Sequence, residues 1–198
     1  MTNAQCSRLV ALIAERVTRS RFQHILRVEA LAVELARFWN VPEDKARTAA
    51  LLHDVARDIP DDVLVDMATA ATDPLAHEMS STAARVVLHA PVGALIAQRD
   101  FGVSDPDVLR AIALHTTGDA VMSPLAMIIF LADYCEAGRD FPGVEQVRVL
   151  LHKDLREAMA LALQQTLAYL TARARPIDER TVRAEQAFAA MTRGSHQP

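Results

Sequence analysis

An imidazole and a carboxylate stand side by side at His53 and Asp54, directly after the apolar run 49–52. Burying a carboxylate without a partner is costly, so Asp54 needs a cation or dense hydrogen bonding. Histidine nitrogen together with aspartate oxygen suits a first-row transition ion such as iron, manganese or zinc. A lone His-Asp pair also fits a helix that ends in a solvated Asp-Arg-Asp tail, so this pair needs support from the rest of the chain.

Asp133 is a second carboxylate in an apolar setting, because it closes the segment 127–133, whose other members are all apolar. A salt bridge to an arginine would accommodate it equally well. Four histidines lie near predicted helix ends or turns and complete a candidate ligand set with the two aspartates: His24, His53, His89 and His115. Several helices can direct such side chains to one point, as in metal sites inside helix bundles. We expect the other three histidines at the surface: His77, His152 and His196.

Apolar residues recur at helical spacing along the chain, and no segment alternates as a strand would. The predicted helices cover about 4–18, 20–39, 42–54, a segment after 60, 80–88, 92–100, 106–114, 124–133, a segment after 142, 154–171 and 178–192, with a loop over 71–81. Asp105-Pro106 and Ser123-Pro124 each place a capping residue before a proline at the first helical position, and Ser20 is predicted to cap the second helix. The sequence therefore predicts an all-α fold.

The composition limits the function classes that remain. A chain of 198 residues suits one domain over 1–198, with a core at about 20–172 and a C-terminal helix at about 178–192. The net charge of -4 gives no basic field for nucleic acid, and no apolar run reaches the ~20 residues of a membrane span. Cys6 and Cys135 form no disulfide framework, so we expect a cytoplasmic protein. Cys135 follows Asp133 by two residues on a helix, so we expect it to be a core residue that points away from the ligands.

Several longer motifs surround the candidate ligands. They are HILRV at 24–28, LLHDVARD at 51–58, LHAPVG at 88–93, HTTG at 115–118, LADYCE at 131–136 and RDFPGV at 139–144. Over about 20–185 the chain resembles the HD superfamily of metal-dependent phosphohydrolases, a family of helical bundles. More finely it resembles the YqeK branch, the symmetrical bis(5′-nucleosyl)-tetraphosphatases. It departs from that pattern at Ala90, where glycine is usual, and at Ala137-Gly138, where the family tends to have proline after the glutamate.

The resemblance implies that His24, His53, Asp54 and Asp133 hold one ion, iron first and manganese or zinc as alternatives. His89 and His115 would then hold a second ion or contact the phosphates of the substrate, and the sequence leaves both open. We expect Asp54, His115 and Arg57 to carry catalysis, with Asp54 orienting the nucleophile and His115 able to donate a proton to the leaving phosphate.

Arginine side chains near this site suit phosphate, because the guanidinium fork matches phosphate oxygens in pairs. For any one arginine a solvated or salt-bridged role fits as well. The predicted substrate contacts are Arg27, Arg57, His89, Thr117, Gly118, Arg139, Arg173 and Arg175. The last two come from a segment that resembles the family's nucleotide-lining turn.

The resemblance thus implies an enzyme that hydrolyses diadenosine tetraphosphate into two ADP molecules, with a small nucleotide as its partner and a homodimer as a candidate assembly. Another HD phosphohydrolase, acting on nucleoside monophosphates or cyclic nucleotides, is the nearest alternative. A catalytically inactive nucleotide-binding regulatory module is an alternative of a different class. A diiron oxygenase could use the same ligand types, but the arginines suited to phosphate argue against it.

Overall fold

Ten α-helices and one short 3-10 turn make up the regular structure of residues 3–72 and 85–194, which are the residues that the computed structural model describes. The helices are α1 (Asn3–Ala14), α2 (Arg19–Phe38), α3 (Glu43–Leu52), α4 (Asp61–Thr69), α5 (His89–Phe101), α6 (Pro106–Leu114), α7 (Pro124–Cys135), α8 (Val144–Leu150), α9 (Leu155–Ala172) and α10 (Glu179–Gly194), and the 3-10 turn spans Arg85–Val87. These ranges contain no strand, so the all-α prediction is confirmed.

Side-chain capping explains the starts of α6, α7 and α9. The Asp105 carboxylate accepts from the N–H groups of Asp107 and Val108, and the Ser123 hydroxyl accepts from the N–H of Ala126. Asp154 caps α9 in the same manner. These side chains satisfy N–H groups that have no partner within the helix, which is why the chain begins a helix there.

The predicted cap at Ser20 is wrong. Helix α2 begins at Arg19, and its N-cap is Thr18, whose backbone N–H donates to the Asp58 carboxylate at 2.8 Å. Ser20 therefore lies in the first turn of the helix. The start predicted at 92 for the fifth of these helices is also wrong, because α5 begins at His89. Pro91 is accommodated in its first turn, where a missing N–H costs nothing.

The loop predicted over 71–81 and the helix predicted over 80–88 fall mostly outside the described residues, as do His77 and His196. Residues 85–87 form the 3-10 turn that leads into α5. His152 is at the surface as predicted, with 41% of its side chain exposed. Cys6 and Cys135 are free thiols, and Cys135 is buried as predicted.

Helix α7 runs through the centre of the molecule, and nearly all of its residues from Leu125 to Ala132 are buried. It packs against α2, α3, α6, α8 and α9, while α2 and α3 lie against each other along a seam rich in alanine. The hydrophobic core extends from Ile13 of α1 to Phe188 of α10 and is mostly aliphatic. Within the described ranges, no helix is both long enough and apolar enough to cross a membrane.

Candidate metal centre and substrate cleft

Four helices bring the four predicted histidines to one place. His24 lies on α2, His53 follows the last residue of α3, His89 opens α5 and His115 follows α6. All four are at most 7% exposed. The rings meet edge to face, with centroid distances of 5.4 Å for His24 and His53, 4.9 Å for His53 and His115, and 5.1 Å for His89 and His115.

Hydrogen bonds from Nδ1 fix the orientation of these rings. Three of them donate to the backbone carbonyl three residues earlier: His53 to Ala50 at 2.7 Å, His89 to Val86 at 2.9 Å, and His115 to Ile112 at 2.7 Å. Nδ1 of His24 lies 3.2 Å from the carboxylate of Glu136. Because carbonyls and carboxylates accept, each Nδ1 carries the proton and each Nε2 presents a lone pair.

The carboxylate of Asp54 lies between two pairs of imidazole Nε2 atoms. Its Oδ2 is 3.4 Å from Nε2 of His53 and 3.7 Å from Nε2 of His24. Its Oδ1 is 3.4 Å from Nε2 of His89 and 3.6 Å from Nε2 of His115. One carboxylate therefore faces four imidazole nitrogens, two on each oxygen.

Asp133 lies beside the first of these two pairs, which consists of the Nε2 atoms of His24 and His53. Its Oδ1 lies 3.0 Å from Nε2 of His24, although the angles do not make this contact a hydrogen bond. Within the described part of the chain, Nε2 of His24 and Nε2 of His53 are buried without a hydrogen-bond partner. Two groups could each hold an ion, with ligand atoms within 4.8 Å of one another: His24, His53 and Asp133, and His53, Asp54 and His115. Buried imidazole nitrogens that face one another with no proton between them are suited to bind a cation.

The electrostatics of the cluster also favour a cation. Burial alone would raise the pKa of Asp54, but its close contacts with His53 and His115 lower the pKa of that carboxyl well below its usual range. For Asp133, burial is likewise outweighed by His24, His53 and Arg139, and its pKa is also low. Burial and the neighbouring His115 lower the pKa of His89 to about 3, so its imidazole is neutral at physiological pH.

Two arginines contact the aspartates directly. Arg21 Nη1 donates to Asp54 Oδ2 at 2.7 Å, and Arg139 donates from Nη2 to Asp133 Oδ1 at 2.6 Å and from Nε to the Asp133 carbonyl at 2.9 Å. The sequence reasoning missed Arg21. Its position three residues before His24, and so on the same face of α2, is the signal that could have found it.

The cluster opens onto a cleft of about 720 Å³. His115 and Asp133 lie at the boundary between the two, and the cleft is lined by Arg139 and Arg173, which are two of the predicted substrate contacts. The remaining lining residues are Thr116, Phe130, Tyr134, Phe141, Pro142, Gln165, Thr166 and Tyr169. The aromatic members were not singled out from the sequence, although Tyr134 and Phe141 lie inside the quoted motifs and pack edge to face at 5.1 Å.

Other predicted substrate contacts lie elsewhere. Thr117 is fully buried and donates its hydroxyl to the carbonyl of Gly118 at 3.0 Å, so neither residue is among those that line the cleft. Thr116, one residue earlier, does line it, with its hydroxyl 3.2 Å from Nε2 of His89. Arg57 donates to the Val86 carbonyl at 3.1 Å, beside the ring of His89.

Arg27 and Arg175 are also absent from the lining of the cleft. Arg27 is paired with Glu136, on the side of His24 that faces away from Asp54. Arg175 is exposed in the turn after α9, where its N–H donates to the carbonyl of Leu170. Glu136 lies in the LADYCE motif at 131–136, but no role was predicted for it from the sequence.

Comparison with known proteins agrees with this arrangement. The HD-domain family model matches residues 21–138. A crystal structure from Clostridium acetobutylicum, described as a predicted HD superfamily hydrolase involved in NAD metabolism, superposes with a TM-score of 0.84 at 30% identity, over 93% of this chain and 97% of that one. The fold and the His-Asp cluster define an HD-domain protein.

Curated relatives narrow the assignment. The symmetrical bis(5′-nucleosyl)-tetraphosphatase of Halalkalibacterium halodurans is 38% identical over 166 residues, which are 84% of this chain and 87% of that protein. The enzyme of the same description from Bacillus subtilis is 35% identical over 168 residues, 85% of this chain and 89% of that protein. The chain belongs to the family of symmetrical bis(5′-nucleosyl)-tetraphosphatases, as the resemblance implied.

Proposed function

We propose that this protein is a metal-dependent hydrolase that cleaves diadenosine tetraphosphate into two molecules of ADP. The observation that carries the proposal is the 38% identity, over 84% of the chain, to an enzyme described as a symmetrical bis(5′-nucleosyl)-tetraphosphatase. The geometry supports it, because a cluster suited to a metal ion opens onto a cleft that combines arginine and aromatic side chains.

We infer that two ions bind in this cluster. His24, His53, Asp54 and Asp133 would hold one, and Asp54, His89 and His115 would hold the other. Support comes from Asp54, whose two oxygens face separate pairs of imidazole nitrogens. We propose iron as the native metal, with manganese or zinc as substitutes, because imidazole and carboxylate suit all three. Such ions supply Lewis acidity toward phosphate oxygens and lower the pKa of water.

The second pair of imidazoles gives further support for a second ion. Nε2 of His89 and Nε2 of His115 are 3.2 Å apart, and each ring already uses Nδ1 to donate to a carbonyl. Two lone pairs at this distance repel unless a proton or a cation lies between them. In the one-ion alternative, His115 would be protonated on Nε2 and could pass that proton to the leaving phosphate.

The protein side chains would orient the reacting groups. Asp54 would accept a hydrogen bond from the attacking water, and its central position in the cluster, where it is only 3% exposed, supports this role. Arg139 and Arg173 line the cleft and would neutralise the phosphate chain, and Arg57 would act from the His89 side. The rings of Tyr134 and Tyr169 offer apolar faces for an adenine. Contacts from Arg27, Thr117, Gly118 and Arg175 lack this support.

The test is the position of the cut. Purified protein loaded with iron or manganese should convert diadenosine tetraphosphate to ADP alone, as read by chromatography. In water enriched in heavy oxygen, one ADP of each pair should carry the label, because attack at a β-phosphorus breaks the central bridge. Formation of AMP with ATP would place the nucleotide one phosphate out of register. Turnover of nucleoside monophosphates or cyclic nucleotides in place of the dinucleotide would favour the other HD phosphohydrolases.

We also retain three coarser predictions. A single domain over 1–198 is supported by the continuous core from Ile13 to Phe188. A cytoplasmic location is consistent with the two free thiols. We also propose a homodimer, which measurement of the solution mass would test.

A further inference from the structure

His24 differs from the other three histidines in what holds its ring. The other three donate from Nδ1 to main-chain carbonyls, whereas His24 donates to the side chain of Glu136, which lies 112 residues away in sequence. Glu136 is the C-cap residue of α7 and only 2% exposed. A carboxylate this deeply buried needs a structural or functional reason.

The position of His24 in its helix explains the difference. His53 and His115 follow the ends of α3 and α6, and His89 opens α5 after a 3-10 turn, so each ring lies where the regular pairing of helix carbonyls ends. His24 lies inside α2, where the preceding carbonyls are already bonded to N–H groups of the same helix. Its Nδ1 is held instead by another element, because the end of α7 supplies the acceptor.

Glu136 is itself fixed from several directions. Arg27 donates to it from Nε and, at 3.2 Å, from Nη2, and the N–H of Gly138 donates to Oε2 at 2.5 Å. Arg148 donates to its backbone carbonyl at 2.8 Å. A Cβ at position 138 would lie 2.7 Å from Nε of Arg27, so a larger residue there would displace that side chain. The carboxylate is thus held in place before any ion binds.

We propose that Glu136 is a positioning residue for the metal centre. It accepts a hydrogen bond from Nδ1 of His24 and so directs Nε2 of that ring toward Asp54 and Asp133. It also makes Nε2 a stronger electron-pair donor to a metal ion. This inference rests on the metal site proposed above. Partners of this kind hold the tautomer and orientation of a ligating histidine, and losing one weakens metal binding by about 10- to 100-fold. Arg27, predicted as a substrate contact, would then hold the Glu136 carboxylate in place and would not bind the substrate.

The test compares Glu136→Gln with Glu145→Gln, a matched change at a glutamate that is 77% exposed. Zinc affinity is measured by competition with a chromophoric chelator, and the unfolding temperature of each metal-free protein is recorded beside it. In Glu136→Gln the affinity for one zinc ion per chain should fall 10- to 100-fold, whereas Glu145→Gln should bind as the unmodified protein does. Unchanged affinity in Glu136→Gln, or an equal loss in both variants, overturns the inference.

A second measurement does not depend on whether Glu136→Gln folds. In the zinc-loaded unmodified protein, nitrogen-15 NMR of the imidazoles, with His24 assigned through His24→Gln, should show the proton of His24 on Nδ1. A bare Nδ1 on His24 overturns the inference while leaving the metal site intact. Unmodified protein that takes up no zinc refutes the metal site itself, and with it the role of Glu136.

Discussion

Replacing Gly143 with alanine would disturb one wall of the substrate cleft through a single methyl group. Gly143 precedes α8 with a φ of +97°, and a Cβ there would lie 2.6 Å from Nε2 of Gln165. The Gln165 side chain donates to the Gly143 carbonyl at 3.3 Å and accepts from the Tyr134 hydroxyl at 2.8 Å. Gln165 would have to move, and Tyr134 would lose its partner.

The expected cost has two parts. A left-handed backbone costs a residue with a Cβ about 1–2 kcal/mol. Each hydrogen bond lost by Gln165 adds about 0.5–1.5 kcal/mol. The free energy of unfolding should therefore fall by about 3 kcal/mol, which for a chain of this size lowers Tm by roughly 6–12 °C.

Gly102→Ala is the matched control. Gly102 also has a positive φ, +67°, but a Cβ there would meet nothing within 4 Å. Only the backbone cost of about 1–2 kcal/mol applies, so Tm should fall by about 2–8 °C. Thermal unfolding of both metal-free variants, followed by circular dichroism, gives the comparison. The KM for diadenosine tetraphosphate should rise in Gly143→Ala and stay unchanged in Gly102→Ala. Equal loss of Tm in the two variants, or a KM unmoved in Gly143→Ala, would refute the contribution of Gln165.

Three further predictions concern the metal centre and acid stability. Asp54→Asn should lose most of its bound metal and lower kcat by about 100-fold or more, and full metal occupancy by elemental analysis would contradict the assignment. His115→Ala should bring the metal content from two ions per chain toward one, whereas unchanged metal with a raised KM would favour phosphate contact by His115. Hydrogen bonds from Arg99 and Arg16, opposed by burial, lower the pKa of Asp100 to about 2 from its ordinary 3.8. The free energy of unfolding that Asp100 contributes is therefore present above pH 3.8 and lost as the pH falls toward 2, and acid titration of Asp100→Asn should show a shallower loss over that range.

Local chemistry explains why much of this structure could be predicted. Asp105 and Ser123 each combine a capping side chain with a following proline, and both signals act within one turn of helix. The ligands could be grouped because an aspartate in an apolar run has few acceptable surroundings, as the positions of Asp54 and Asp133 show. Such constraints are carried by neighbouring residues, so the sequence reveals them.

Other features depend on packing that no local pattern contains. Thr18 and Ser20 are both suitable caps, and the choice of Thr18 coincides with an N–H that reaches Asp58, 40 residues later. Thr116 and Thr117 differ by one position at the end of a helix, which is enough to turn one hydroxyl toward the cleft and bury the other. The contact of Glu136 with His24 exists only because α7 lies against α2.

The anchoring of the histidines has a consequence for how this centre tolerates mutation over evolutionary time. Three rings are held by carbonyls of positions 50, 86 and 112, and every amino acid supplies a carbonyl. Position 86 is half exposed, so its side chain is free to drift without disturbing His89. The ring of His24 depends on a particular side chain, which depends in turn on Arg27 and on the absence of a Cβ at position 138. Natural variation should therefore be permissive around three of the four imidazoles, while positions 24, 27, 136 and 138 change only in concert.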